Sequence, residues 1–332
     1  MKPTPSFSGL LQRFFTQRLM AQRQVSPNTI ASYRDTFRLL LEFAQRRLRK
    51  PPSAFALADL DEPLISAFLD DLEQNRSVIV RTRNLRLTAI RSFFRFAAYQ
   101  EPASSGQIQQ VLSIPSKRYD RRLVSFLTRV EIDALLAAPN LLRWDGRRDR
   151  AFLMTAIQTG LRLSEMTGIR RRDIELGVGP YVRCLGKGRK ERCTPFTPET
   201  VNVLNVWLKE PARGNVDLLF PNIHGGPMSA DAVQHLVAKH TTAARLRCPT
   251  LKDKRVTPHV MRHTAAMELL QSGVQPTLIA LWLGHESIKT TQIYLDANLA
   301  LKEAALAKML PIDAIPGRYK PADDLLQFLK NL

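Results

Sequence analysis

Tyr181-Val182-Arg183-Cys184-Leu185 and Arg192-Cys193-Thr194-Pro195-Phe196 are two short β-type runs, with Gly186-Lys187-Gly188-Arg189-Lys190 between them. Paired runs around a glycine-containing connection read as a β-hairpin, here with a basic tip. Around the hairpin the chain reads as helix. Upstream, Thr128 precedes Glu131 by three residues, a capping-box pattern that opens a helix. Arg147–Gln158 gives another, ended by Gly160. Downstream, Pro258–Leu270 begins with proline after Thr257 and stops at Gly273, and Pro276–Leu283 stops at Gly284. A further helix starts near Ser287 and contains Tyr294. The fold class that follows is mainly α with a small antiparallel β-sheet.

Further upstream the pattern is helical throughout. In Asn28–Ala44 the apolar residues Ile30, Tyr33, Phe37, Leu40, Leu41 and Ala44 recur at helical spacing, and Ser26-Pro27 fits a cap followed by proline in the first turn. Leu64–Leu72 follows Pro63 as a second helix. Arg81–Ala98 is a third, with Leu87, Ile90, Phe93, Phe94 and Ala97 on one face and Arg83, Arg86, Arg91 and Arg95 largely off that stripe. These helices predict a small basic bundle, one of whose helices could lie in a DNA groove. Pro102–Arg122 breaks the pattern and reads as a linker ending near residue 125. The expected boundaries are an N-terminal helical domain at 1–118, a linker at 119–126, a second domain at 127–310 and a tail at 311–332. Arg81, Arg83, Arg86, Arg91, Arg95, Lys117, Arg118, Arg189 and Lys190 are candidate DNA contacts. For any single one of them a solvated surface role is the simpler reading.

The 332 residues carry 49 Lys and Arg against 30 Asp and Glu, a net charge of +19. Residues 1–118 hold 18 basic and 9 acidic residues, and the remainder 31 and 21, so both halves are basic and the charge is not one tail. Such a field draws polyanions, and nucleic acid gains most because each phosphate contact releases counterions. No apolar run approaches the roughly 20 residues of a membrane span, and the first residues lead into no signal-peptide apolar region. A cytoplasmic, nucleoid-associated location is expected. Cys184, Cys193 and Cys248 are too few and too irregular for a disulfide framework or zinc cluster; Cys184 and Cys193 could face each other across the hairpin as a reduced pair.

The chemistry-bearing segments are Thr159-Gly160-Leu161-Arg162-Leu163-Ser164-Glu165, Gly186-Lys187-Gly188-Arg189-Lys190-Glu191-Arg192, His259-Val260-Met261-Arg262-His263, Leu283-Gly284-His285, and Tyr294. In this order they resemble the tyrosine recombinases, the phage integrases and Xer recombinases, over nearly the whole chain. Carried over by that resemblance, Arg162, Lys187, His259, Arg262, His285 and the nucleophile Tyr294 are the catalytic set, with Glu165 orienting Arg162. The resemblance implies a helical, SAM-like core-binding domain and a catalytic domain that together clamp DNA. It also implies a 3′-phosphotyrosine intermediate with a free 5′-hydroxyl, and no requirement for ATP, divalent metal or any other cofactor. A homotetramer on double-stranded DNA is implied, monomeric when free, with room for an accessory protein or partner recombinase.

Elementary chemistry agrees. A phosphodiester becomes more negative on the way to its transition state, and two arginine forks can hold its non-bridging oxygens. A phenol with an ordinary pKa of about 10 is a poor nucleophile at neutral pH and needs a base or cations nearby, for which His259 and His285 are candidates. Lys187 on the hairpin tip suits protonation of the leaving 5′-oxygen, with Lys190 as its rival. His259 and His263 at i, i+4 lack a third metal ligand, and His263 reads as a structural neighbour. His224, His235 and His240 read as surface or core residues. The apolar segment in the tail at 311–332 could dock on its own protomer or on a neighbour. Two other readings share these residues: a type IB topoisomerase, and a DNA-binding regulator that has lost catalysis.

Overall fold

The computed structural model describes residues 6–120, 124–186, 191–211, 213–214, 217–285 and 289–297. Lys187, Arg189, Lys190 and the tail at 311–332 lie outside them. The chain forms two compact units, Met1–Arg121 and Arg122–Leu332.

The first unit is helical. Ser6 caps α1 (Phe7–Arg13) by accepting from the Gly9 N–H. The chain continues into a wider π-type turn, Phe14–Gln22, whose buried residues Phe14 and Leu19 stand five apart, the spacing of an i to i+5 helix. Ser26 and Pro27 start α2 (Pro27–Leu48), with Ser26 Oγ accepting from Thr29 N at 3.3 Å. Asp61 caps α3 (Glu62–Gln74) from Leu64 N at 2.9 Å. Helix α4 (Val80–Gln100) buries Leu87, Ile90, Phe93, Phe94 and Ala97. Phe93 meets Phe7, Phe14 and Phe37 edge-on at ring separations of 5.4–5.7 Å, the favoured aromatic geometry.

Two expectations change here. Pro102–Arg122 is not all linker: Ser105–Ser113 forms α5, and Ile108, Val111 and Ile114 enter the core against α4. Serines, a glycine and glutamines around two buried residues one turn apart gave too little apolar signal to announce a helix. The second change concerns Arg83, expected off the apolar stripe. It is 4% exposed, donates to Pro115 O at 3.1 Å and lies 3.9 Å from Glu73. Arg91 likewise donates to Ile114 O, and Arg86 to Thr36 Oγ1 at 3.4 Å. The segment after α5 supplies most of these partners, so a reading without α5 leaves the arginines facing solvent.

In the second unit, α6 (Arg129–Leu136) opens with Glu131 Oε2 accepting from Thr128 N at 2.8 Å. The same carboxylate accepts from Thr250 and Lys254, tying α6 to a segment more than a hundred residues further along the chain. Helix α7 (Trp144–Thr159) is the most buried of the unit and ends at Gly160 with φ +63°, a left-handed cap. Short α8 (Leu163–Gly168) leads to an antiparallel sheet in the order β1 (Ile174–Glu175), β2 (Tyr181–Leu185), β3 (Glu191–Pro195). Its register pairs Cys184 with Arg192 and Arg183 with Cys193. The two cysteines are therefore on opposite faces, Cys184 buried and Cys193 exposed, and do not form the pair expected from the hairpin.

Helices α9 (Pro198–Leu208) and α10 (Ala230–Ala244) follow. Asp149 of α7 bonds His240 of α10 at 2.7 Å and Arg148, a fully buried tie between the two helices. Then come α11 (Pro258–Gln271), α12 (Pro276–Leu283) and α13 (Lys289–Ala297). Among the described residues no helix is long and apolar enough to cross a membrane.

Candidate active site

The site forms where the C-terminal end of α7, the start of α8 and the facing sides of α11, α12 and α13 meet. Gly160 makes the approach possible. A Cβ there would stand 2.6 Å from Leu283 and 2.9 Å from Ala265, and the backbone is left-handed. The turn that Gly160 permits presents its carbonyl to Arg262 Nη1 at 2.6 Å, while Arg262 Nη2 donates to Leu283 O at 2.7 Å. Trp282 Nε1 donates to Thr159 O at 3.0 Å and pins α12 to the same turn.

Arg162, two residues after Gly160, is held on three sides. Its backbone N–H donates to Glu165 Oε2 at 2.7 Å, its Nη1 to Glu165 Oε1 at 3.0 Å, and its Nη2 to Gly284 O at 2.7 Å. Glu165 thus meets Arg162 through both its backbone and its side chain, a contact that the three-residue spacing allows. Burial pushes the Glu165 carboxyl up, but hydrogen bonds from Arg192 and the Arg162 backbone, with the charges of both arginines, hold it below the usual carboxylate range. Burial and the neighbouring Arg162 charge pull the Arg262 guanidinium down to about 10. Two guanidiniums this close, one of them in a desolvated site, favour the arrival of an anion.

Arg162, Arg262 and His259 line one open cavity of about 430 Å³, with Ser164, Thr167 and Ala230 on its walls. Tyr294 is 2% exposed, and its hydroxyl lies 3.1 Å from His263 Nδ1. Burial raises the phenol above its ordinary value, with the Arg262 charge opposing it. The Tyr294 ring also stacks on that of His285 at 6.3 Å, and His285 Nδ1 bonds Thr291 Oγ1 at 2.8 Å. Burial, then neighbouring cations, bring both imidazoles down to about 4, so at neutral pH each is uncharged.

The structure brings Arg162, Arg262, His259, His285, Glu165 and Tyr294 into one region. It does not describe Lys187. Two members of the region had no assigned chemistry in the sequence. His263, read as a bystander, is the residue bonded to the Tyr294 hydroxyl; its i, i+4 spacing from His259 was visible, but not that Tyr294, 31 residues on, would meet it. Arg192 sits in the hairpin motif, yet nothing local says that its guanidinium lands on Glu165, at 3.0 and 2.7 Å.

The chain is similar to known proteins over nearly all of its length. Residues 125–300 match the Phage integrase family, and residues 12–101 match the phage integrase N-terminal SAM-like domain. A Sinorhizobium fredii protein provisionally named an integrase/recombinase, y4rC, is 60% identical over 327 residues, covering 98% of each chain. The tyrosine recombinase XerD of Staphylococcus saprophyticus is 30% identical over 282 residues, covering 83% of this chain and 90% of its own. In fold, the chain is similar to the XerH site-specific recombinase in a post-cleavage complex with a palindromic difH substrate, with a TM-score of 0.70 at 22% identity over 86% of this chain and 81% of that one. It is also similar to a lambda integrase dimer bound to a COC′ core site, with a TM-score of 0.63 at 18% identity over 86% and 97% of the two chains. With one of these matches spanning more than half its length, this chain belongs to the phage integrase family, the tyrosine recombinases.

Proposed function

We propose that the protein is a site-specific DNA recombinase in which Tyr294 is the nucleophile and Arg162 and Arg262 hold the scissile phosphate. As a tyrosine recombinase it cleaves and rejoins DNA strands. The observation that carries the residue assignment is the cavity shared by Arg162, Arg262 and His259, with Tyr294 bonded to the same helix, α11, one turn on.

In the cleavage step the Tyr294 oxygen attacks phosphorus and the bond to the 5′-oxygen breaks. The phenolic proton goes to a base or to solvent, and the departing 5′-oxygen takes a proton from an acid, the role assigned to Lys187. The products are a 3′-phosphotyrosine and a 5′-hydroxyl. The phosphodiester bond energy is kept in the tyrosyl ester, so rejoining is the same step reversed. Arg162 and Arg262 each contribute on the scale of one preorganised donor, about 10²–10³ in rate. Neutral His263 and His285 can accept hydrogen bonds, but a base near 4 is a weak match for a phenol raised above 10, so proton removal must accompany bond formation to phosphorus.

The substrate is double-stranded DNA carrying a recombination site. The working assembly is a tetramer on two duplexes, formed from free monomers, with the tail at 311–332 as a bridge between protomers and space for an accessory or partner recombinase. Residues 1–118 form the core-binding part, 119–126 the connection and 127–310 the catalytic part, and the protein acts with the nucleoid in the cytoplasm. Of the candidate DNA contacts, Arg81, Arg95 and Arg118 are exposed and are assigned phosphate contacts, whereas Lys117, also exposed, is paired with Glu73. Arg189 and Lys190 share that assignment.

Capture of covalent adducts tests this. Wild type and Tyr294→Phe are expressed in cells, DNA that stays attached after rapid denaturation is recovered, and its ends are sequenced. Adducts at one or a few sites in wild type and none in Tyr294→Phe are expected. Adducts scattered without preference would instead describe a topoisomerase, and adducts in Tyr294→Phe would move the nucleophile elsewhere.

A further inference from the structure

Strand β3 leaves the hairpin through Arg192, and its guanidinium meets Glu165 end to end: Nη1 donates to Oε1 at 3.0 Å and Nη2 to Oε2 at 2.7 Å. Glu165 already accepts twice from Arg162, once from the backbone and once from Nη1. The four lone-pair directions of the carboxylate are therefore all taken, two by each arginine. Side-chain exposure is 5% for Glu165 and 13% for Arg192, so solvent does little to screen the pair. Gly284 closes the arrangement. Its carbonyl accepts from Arg162, and a Cβ on it would stand 2.8 Å from Arg192 Nη1, so both guanidiniums pack on the same turn.

The charge count gives this geometry its meaning. A buried carboxylate paired with Arg162 alone would fix its fork and also cancel its charge, which is what a phosphate needs from it. A carboxylate shared by two guanidiniums leaves one positive charge over. We propose that Arg192 is a positioning residue for strand cleavage: it takes up the charge of Glu165, so that Glu165 can orient Arg162 without neutralising it. This inference rests on the reading of the cavity as the phosphate site. It assigns the β3 strand an electrostatic part in the reaction that is separate from any acid carried at the hairpin tip.

The test uses the full chain and a nicked duplex bearing the site found by adduct capture. Single-turnover cleavage, duplex affinity and thermal melting are measured for wild type, Arg192→Gln, Arg192→Lys and the double variant Arg192→Gln/Glu165→Gln. Arg192→Gln is expected to cleave at least about tenfold more slowly, less than the loss of a direct phosphate donor, while its affinity for the duplex changes by no more than about threefold. Arg192→Lys keeps the charge without the two-pronged fit and should recover most of the rate. The double variant removes both charges together and should also be faster than Arg192→Gln. That rescue is the outcome a purely structural role would not give. Arg192→Met, similar in length and uncharged, replaces the glutamine variant in both positions of the test if that variant does not fold.

An Arg192→Gln enzyme with the wild-type cleavage rate would overturn the proposal, and so would a double variant as slow as the single. A wild type that forms no adduct on the duplex is a different failure, of the site assignment itself.

Discussion

Arg83 in the first unit and Arg262 in the second are almost equally hidden, 4% and 7% exposed, and both place guanidinium N–H groups on backbone carbonyls. Their electrical surroundings differ. Arg83 lies beside Glu73, which also pairs with Lys117, and Lys117 is within 3.7 Å of Asp70, so a carboxylate of the fold stands against its charge. Around Arg262 the guanidiniums of Arg162 and Arg192 share Glu165, and among the described residues that carboxylate is outnumbered. The imbalance shows in Arg262 itself, drawn down to about 10 by burial and by Arg162. Burial of an arginine is therefore uninformative alone. A buried arginine whose charge is met by its own fold is a strut, whereas one left in excess beside an open cavity waits for an anion.

The largest effect that would break this comparison is catalytic. Arg262→Ala should lower single-turnover cleavage by about 10²–10³, the cost of one preorganised donor. Arg83→Ala should leave the rate per folded molecule unchanged. Measured side by side on one nicked duplex, equal losses would mean that charge imbalance does not separate the two arginines.

The next test separates the units by pH. All six histidines lie in the second unit, at positions 224, 235, 240, 259, 263 and 285. His263 and His285 are held at about 4 by burial and by neighbouring cations, against an ordinary value near 6.5. Between those values the unfolded chain binds more protons than the folded one, so stability rises with pH across this window. The contribution is complete above about 6.5 and is lost as pH falls toward 4. Hydrogen exchange on the full chain, corrected for intrinsic rate, should show protection in α11 and α12 weakening from pH 7 to pH 5. Protection in α2 and α4 should hold steady. Parallel loss in both units would contradict the buried, neutral state of these imidazoles.

The same contrast explains what the sequence could and could not announce. Caps and stops are written in adjacent residues, so Ser26-Pro27, Thr257-Pro258, Gly160 and Gly284 could be read directly as helix ends. The segments that make up the candidate site could be read because each is short and local. What escaped were consequences of distant chain meeting: the segment after α5 supplying carbonyls to Arg83 and Arg91, Arg192 reaching back 27 residues to Glu165, and Tyr294 settling against His263. The cysteine pairing failed for a subtler reason. Whether two strand residues share a face depends on register, and a shift of one position sends Cys184 inward and Cys193 outward.

A smaller effect concerns the stability of the first unit. Removing the Arg83 guanidinium deprives Pro115 O of its donor and leaves Glu73 with one cation fewer. Arg83→Ala should therefore cost about 1–3 kcal/mol of stability. Denaturant unfolding of the full chain, followed by a probe within the first unit, would measure it. A cost near zero would mean that Arg83 is not the strut its contacts suggest.

The smallest effect distinguishes two arginines of one helix. Arg95 of α4 is exposed, whereas Arg83 on the same helix is spent on the fold. If Arg95 meets a phosphate, Arg95→Ala should weaken DNA binding similarly for specific and unrelated duplexes, and the slope of log affinity against log salt should shrink by about one. Arg83→Ala, compared under conditions where it is fully folded, should leave that slope unchanged, because its charge is already matched within the protein and displaces no counterion from DNA. An altered slope for Arg83→Ala with an unaltered one for Arg95→Ala would reverse the assignment. Burial would then have misled about which side of α4 reaches the duplex, and the first unit would have to rearrange on binding to free Arg83 from Pro115.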